Sequence, residues 1–198
     1  MTVGHNLSQA PELVIGKGMD QADNWRVGSS ELTSWAYILG LNTSSEEVSY
    51  TSIWNSTAPT SSVISIGESG SINTDDEDFI LYAFHSVEGY SKVGSYTGNG
   101  NADGPYIFTN SFRPSFVLIK STSSGTNWMM FDSKREGYNV DNDALEANTN
   151  DVESTTDFID MVSTGFKVRN SHSDVNTSTH TYIYLAFAAY PFKFAPAR

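Results

Sequence analysis

The sequence predicts an all-β protein, a β-sandwich or jelly-roll-like domain built from two internal repeats with only minor short helices. Short runs rich in Val, Ile, Phe and Tyr, bounded by Gly, Ser, Asn and Asp, are typical of strands. The same runs recur in the same order about 103 residues later. Because all-β sandwiches often reach about 200 residues as one unit, we expect residues 1–198 to form a single domain.

Matching strand-like runs in the two halves of the chain define the repeats. The first half carries these runs at residues 13–17, 63–66 and 79–87. Their counterparts in the second half lie at residues 116–120, 166–169 and 182–189. We therefore expect repeat one at residues 11–88 and repeat two at residues 114–191, sharing one core and followed by a tail over residues 192–198.

Two further blocks support the duplication. The pair Asn24-Trp25 reappears as Asn127-Trp128 at the same spacing, so we expect the two indoles to fill the same core position twice. Residues 41–43 correspond to residues 147–149 at a spacing three residues larger. Length changes of this kind belong in surface loops.

The last strand of repeat two is apolar on both alternating faces. Leu185 and Phe187 lie on one face with Ile183, while Tyr184 and Ala186 lie on the other. A strand of this composition is covered on both sides of its sheet. We therefore predict that a charge at Leu185 or Phe187 unfolds the protein.

Helix and hairpin signals are few. Amphipathic spacing allows a turn or two of helix at residues 31–39 and 156–162. Residues 89–110 hold two alternating runs around a loop rich in Gly and Asn, which predicts a hairpin bridging the repeats. The first repeat has no upstream counterpart of residues 95–100, so we expect that the natural chain, or an ancestor, continued N-terminally.

Composition excludes several classes of function. A formal charge of -12 opposes binding to nucleic acid or to anionic membranes, since both require clustered Lys and Arg. No stretch approaches the length of about 18 apolar residues that a membrane span needs. The absence of cysteine removes thiolate catalysis, zinc-thiolate sites and redox chemistry.

No pattern of residues indicates catalysis, a cofactor or a metal. The four histidines, His5, His85, His172 and His180, lack helical zinc-site spacing. The acidic turns at residues 75–78 and 141–143 could supply oxygen ligands to calcium, but Asp and Asn are also ordinary turn residues. Residues 94–104 are glycine-rich without a following helix, so they do not form a phosphate loop. We expect no catalytic, cofactor-binding or metal residues.

The aromatic residues, 13% of the chain, offer a candidate binding surface. Sugar rings stack on exposed indoles while nearby amides bond their hydroxyl groups. Trp54 precedes Asn55 in a polar loop, and Asp157 stands at its position in the second repeat. We therefore name Trp54 and Asn55 as candidate ligand or subunit contacts, and expect Trp54 to be exposed. A core position for Trp54 is the alternative.

Several motifs together resemble a duplicated domain found in tailed bacteriophages, especially phages of cyanobacteria and other marine bacteria. They include the opening Gly-His-Asn-Leu at residues 4–7, Gly-Tyr-Ser-Lys-Val-Gly-Ser-Tyr-Thr-Gly-Asn-Gly at residues 89–100 and Phe-Arg-Pro-Ser-Phe-Val-Leu-Ile-Lys at residues 112–120. Phe-Asp-Ser-Lys-Arg at residues 131–135 and Gly-Phe-Lys-Val-Arg at residues 165–169 extend the similarity over nearly the whole chain.

The resemblance implies a structural protein of the virion. We expect a tail-fibre-like or receptor-binding module without enzymatic activity, with a capsid decoration protein as the alternative and a glycan-cleaving enzyme as the distant one. The implied partners are other virion proteins and a host surface glycan. Because fibre-like proteins are often trimers, a homo-oligomer, specifically a trimer, is also expected.

Overall fold

The computed structural model describes residues 1–109, 111–135, 139 and 143–190. Within these residues the protein is all-β, with antiparallel sheets and one short helix, which confirms the predicted fold class. The chain divides into two compact units, unit 1 at residues 1–85 and unit 2 at residues 86–198. Each repeat falls almost entirely within one unit. The prediction that the repeats share one core stays a prediction.

Unit 1 contains two antiparallel sheets. Its strands are β1 (Thr2–Gly4), β2 (Leu13–Gly18), β3 (Arg26–Ser29), β4 (Tyr37–Gly40), β5 (Val48–Ser49), β6 (Val63–Ser65) and β7 (Phe79–Phe84). The larger sheet has the order β5-β4-β3-β2-β7, and β1 pairs with β6 in the smaller one. Apolar side chains from both sheets, including Val14, Ile38 and Ile64, form one hydrophobic cluster.

Unit 2 repeats this plan with additional strands. Its elements are β8 (Ser91–Thr97), β9 (Tyr106–Phe108), β10 (Pro114–Ser121), β11 (Met129–Asp132), β12 (Leu145–Glu146), β13 (Ile159–Val162), β14 (Gly165–Val168), α1 (Ser173–Asn176) and β15 (Thr181–Ala188). The sheets have the orders β12-β11-β10-β15-β8 and β13-β14-β9. Val117, Phe166 and Tyr182 belong to the cluster between them.

Strand register shows that the two repeats have the same fold. Leu13 pairs with Phe84 in unit 1, and Phe116 pairs with Phe187 in unit 2. Each pair lies 103 residues from its counterpart. The pairings β2–β3 and β10–β11 agree in the same way, as do β1–β6 and β9–β14.

The Asn-Trp pairs also repeat their hydrogen bonds. The Trp25 N–H donates to Asn42 Oδ1 at 3.0 Å, and the Trp128 N–H donates to Asn148 Oδ1 at 2.7 Å. Burial differs, however, because Trp128 is buried whereas Trp25 is half-buried and stacks on Tyr82 at 6.4 Å. The expected shared position is therefore present in both units, but only Trp128 fills it as a buried core residue.

Equivalent lysines close the turn after the first strand of each repeat. Lys17 Nζ donates to the backbone carbonyls of Gly18 and Gln21. Lys120 Nζ donates to the carbonyls of Ser121 and Ser124, at 2.9 and 3.4 Å, and it also bonds a threonine hydroxyl. The Lys120 side chain is fully buried, so carbonyl dipoles stabilise its charge.

Both predicted helices are wrong. Residues 31–39 form turns that lead into β4, and residues 156–162 lead into β13, each of which pairs with a neighbouring strand. Long-range pairing overrides the weak local preference for helix. The helix that the described residues do contain, α1, starts after the N-cap His172.

The predicted bridging hairpin is also wrong, because its two runs enter different sheets. β8 pairs with β15, and β9 pairs with β14. The glycine-rich loop crosses between the sheets, and it is held by Asn176 Oδ1, which accepts bonds from the N–H groups of Asn99 and Gly100. The predicted tail at residues 192–198 lies outside the described residues.

Candidate functional site

The candidate site is an open groove in unit 1, between the β1–β6 ribbon and the edge strand β7. Its volume is about 550 Å³. The apolar lining comes from Ile64, Ile66, Ile72, Phe79, Leu81 and Ala83, and the polar rim includes His5, Asn73, Thr74, Asp75 and Glu77. An apolar trough with a few polar groups at its margin is typical of a binding site.

Successive residues of β7 alternate in the direction of their side chains and of their main-chain groups. This alternation creates both the apolar lining of the groove and an unpaired strand edge. Phe79, Leu81 and Ala83 pack against the core cluster of unit 1. The Met19 N–H donates to the Asp78 carbonyl at 2.8 Å, so Asp78 and every second residue after it direct their main-chain groups towards β2. The N–H and C=O groups of Phe79, Leu81 and Ala83 therefore face the opposite edge, where none of the described strands pairs with them.

In unit 2 the corresponding edge is occupied. β8 pairs with β15 from Thr181 to Phe187, and bonds beyond the strand ends continue the ladder: the Gly98 N–H donates to the His180 carbonyl at 2.9 Å. Burial differs accordingly. Most of β15 is buried, whereas every residue of β7 is at least partly exposed.

Tyr96 on β8 fills the space that is open in unit 1. Its ring stacks on Tyr182 at 5.1 Å and packs edge-on against Phe166 at 6.1 Å. Its hydroxyl donates to the Val175 carbonyl at 2.8 Å. Burial, followed by the nearby Tyr182, raises the pKa of Tyr96 well above its ordinary value, so the phenol stays protonated and remains a hydrogen-bond donor.

The polar groups of the groove rim are held by local bonds. Asn73 Nδ2 donates to the Gly67 carbonyl at 2.7 Å, and no donor to its Oδ1 is found among the described residues. Gln21 Nε2 donates to Thr74 Oγ1 at 2.9 Å and also to Glu77. His5 Nε2 lies 3.1 Å from the Thr60 carbonyl. These contacts orient the rim without pairing a nucleophile with a base.

Trp54 does not lie at the surface, so the expectation of an exposed aromatic there is wrong. Its side chain is fully buried and packs edge-on against Trp35 at 6.2 Å. It covers Gly16 and Gly28 inside β2 and β3, where a Cβ would contact or overlap its indole. Unit 2 carries Ile119 and Phe131 at these glycine positions and needs no such indole, which explains the absence of a matching tryptophan.

Asn55 is exposed, as its polar loop suggested. Its backbone φ of 51° lies in the left-handed region that Asn tolerates better than most residues, and its carbonyl accepts from Thr57 Oγ1 at 2.8 Å. The structure therefore separates the two named residues, since Trp54 belongs to the core and Asn55 to the surface. A contact role for Asn55 stays a prediction.

The described residues form neither a metal cluster nor a membrane-spanning helix. Within the described part of the chain, no three His, Asp or Glu side chains come together as a metal site, and residues 141–142 of the second acidic turn lie outside it. The helical segment that is described is far too short to cross a bilayer.

The geometry defines a class of protein: a duplicated antiparallel β-sandwich with an open, apolar groove in its first unit. Residues 1–191 match a protein family described as "Domain of unknown function (DUF7483)", and the chain belongs to that family. No curated protein and no solved structure matches it.

Proposed function

We propose that the protein is a structural component of a tailed-phage virion, a tail-fibre-like or receptor-binding module that acts by holding another polypeptide. The unit 1 groove is the observation that supports the binding part of this proposal, and the motifs that resemble the phage domain support the virion part. A free strand edge beside an apolar trough binds extended chain by adding a strand to the sheet, with the main chain supplying affinity and the trough supplying specificity.

The chemistry of the groove favours binding over turnover. Its floor is aliphatic and aromatic, and its rim carboxylate Glu77 accepts a bond from the neutral Gln21. A glycosidase would need one carboxyl group with a raised pKa and a second across the scissile bond. Asp75 and Glu77 are the two carboxylates beside the trough, so the glycan-cleaving alternative can be tested by replacing them.

Localisation tests the virion proposal. Purified particles that carry this protein are labelled with antibody and imaged by electron microscopy. Label on tail fibres is the expected result, and label on the capsid shell would replace the fibre assignment with the decoration alternative. Absence of the protein from purified particles would contradict a virion role altogether.

Four measurements on the purified chain test the remaining parts of the proposal. We expect no release of reducing ends from host polysaccharide, and release that disappears in Glu77→Gln would contradict the non-catalytic assignment. EDTA should leave the melting temperature unchanged, whereas a fall would favour calcium in an acidic turn. Light scattering tests the trimer that we propose, and a glycan array tests a host surface glycan as a second partner.

A further inference from the structure

Unit 2 contains both a groove of the unit 1 type and the strand that fills it. β8 is that strand, and its contacts with the groove use three kinds of group: the main chain pairs with β15, Tyr96 enters the apolar space, and the following loop bonds Asn176. The duplication therefore offers, within one chain, a filled example of the site that is open in unit 1.

Unit 1 keeps the receiving groups at equivalent positions. Phe79 stands where Tyr182 stacks on Tyr96, and Asn73 stands where Asn176 binds the loop. The side-chain amides of both asparagines donate to a backbone carbonyl in the same way, Asn73 to Gly67 at 2.7 Å and Asn176 to Asn170 at 2.8 Å. This bond orients the Asn73 amide so that its Oδ1 lies at the unit 1 groove. In unit 2, Asn176 Oδ1 at the equivalent position accepts hydrogen bonds from the loop N–H groups.

We propose that the unit 1 groove receives an extended strand with the sequence character of residues 91–100, supplied by another polypeptide. This strand pairs antiparallel with β7, inserts a tyrosine between Phe79 and the β1–β6 ribbon, and follows it with a Thr-Gly-Asn-Gly turn that donates to Asn73 Oδ1. The proposal rests on the proposed structural role, because it names the kind of partner that the module holds.

Stoichiometry excludes the β8 strand of a second copy as the occupant. The described residues of each chain hold one β8-type strand and two sheets that can receive it. A copy that lent β8 to the unit 1 groove of another would expose its own β15, together with Tyr182 and Phe166 that Tyr96 now covers. The exchange therefore fills one groove only by opening another, so β8 of a second copy does not supply the strand.

The side chain that enters must be aromatic and carry a donor. In unit 2 the Tyr96 hydroxyl donates to the carbonyl of Val175, and Ile72 stands at the equivalent position at the unit 1 groove. Tyrosine meets both demands, since its ring covers the apolar lining and its hydroxyl reaches the main chain. Phenylalanine meets only the first demand, and lysine or arginine meets only the second.

The test is direct binding of a synthetic peptide to the full chain. The peptide has the sequence of residues 90–101, labelled at its N-terminus, and is titrated while fluorescence anisotropy is recorded. We expect saturable one-to-one binding. A second peptide with alanine in place of Tyr96 should bind at least about tenfold more weakly, because it loses a partly buried ring and its hydrogen bond.

Two groove variants locate the binding. Asn73→Ala removes the acceptor, and Ala83→Pro removes an N–H that faces the free edge while sparing the bonds to β2. Both should weaken binding by about tenfold or more. The matched control is Asn150→Ala, in an exposed loop of unit 2, which should bind as the parent does. Circular dichroism and melting temperature verify that each variant is folded.

Three outcomes overturn the proposal: no saturable binding, equal binding of a scrambled peptide, or binding that folded groove variants leave unchanged. Failure here is distinct from failure of the virion role. If the protein is located in particles but does not bind the peptide, the structural role stands and the proposed strand partner is refuted. If the protein is absent from particles but binds the peptide, the strand-receiving groove is supported and the virion assignment is refuted.

Discussion

Replacement of Trp54 by alanine should destabilise unit 1 strongly. Trp54 is fully buried, and its ring lies over Gly16 and Gly28, which have no side chains to refill the space. Trp35, which packs edge-on against it, would also lose its aromatic partner. The substitution therefore opens a cavity in the hydrophobic cluster rather than trimming a surface loop.

The magnitude follows from two opposing contributions. Truncating a buried Phe or Trp to Ala costs about 3–5 kcal/mol, through lost transfer energy and the cavity left behind. Trp54 Nε1, however, is buried without a hydrogen-bond partner among the described residues, so its removal relieves a penalty of about 1 kcal/mol or more. We expect a net loss of about 3 kcal/mol, a large share of the 5–15 kcal/mol that usually stabilises a domain.

Urea denaturation followed by tryptophan fluorescence measures this loss, since Trp25 and Trp35 remain in unit 1 as reporters. Asp157→Ala is the matched control, because Asp157 occupies the equivalent position in unit 2 and is exposed. Its effect should stay within about 0.5 kcal/mol. A loss below about 1 kcal/mol for Trp54→Ala would refute the assignment of Trp54 to the core.

A double-mutant cycle tests the contact itself. A Cβ on Gly28 would overlap the Trp54 indole, so Gly28→Ala should destabilise the parent. The same change should cost at least about 1 kcal/mol less when Trp54 is already alanine, because the two residues then no longer collide. Strict additivity would show that the glycine and the indole do not share this space.

Three further predictions concern unit 2. Tyr96→Ala should lower the unfolding free energy by about 3 kcal/mol and Tyr96→Phe by about 1 kcal/mol, since only the first empties the groove; equal losses in urea melts would contradict that account. Leu185→Asp should unfold the unit, because it buries an unpaired carboxylate, and a native circular dichroism spectrum would refute this. Partial burial pushes the pKa of Asp132 upward, but bonds from Arg135 and the Lys134 N–H outweigh it and leave that pKa below 3.8. The stabilisation is therefore present above that value and lost as pH falls through the lowered pKa, so Asp132→Asn should flatten the stability profile below about pH 4.

Much of the fold was predictable because the repeat fixes which strands correspond. The two Asn-Trp pairs predicted a shared position in the two repeats, and the apolar faces of β15 predicted the burial of most of that strand. The sheet that each strand joins was harder to predict from the sequence. β8 and β9 look like a hairpin locally, but each finds its partner about 60 or more residues further along the chain, in β15 and β14. Local alternation carries no information about such distant pairing.

The sequence predicted only part of the candidate site. Residues 95–100 have no counterpart among residues 1–85, and this difference between the repeats pointed to β7, which ends its sheet among the described strands. The burial of Trp54 was hidden, because the glycines that make room for it lie in strands 26 or more residues away. An isolated glycine within a strand often marks close approach by another group, and Gly28 was the clue.

The buried lysine at the start of repeat two, Lys120, can report on local opening of unit 2. The Lys120 ammonium is shielded from solvent, whereas Lys134 is exposed in the same unit. Amine-reactive labels should therefore modify Lys134 in the native protein and reach Lys120 only through transient unfolding. Mass spectrometry of the Lys120 peptide over time would then read out how often unit 2 opens, independently of any fluorescence signal from the tryptophans of unit 1.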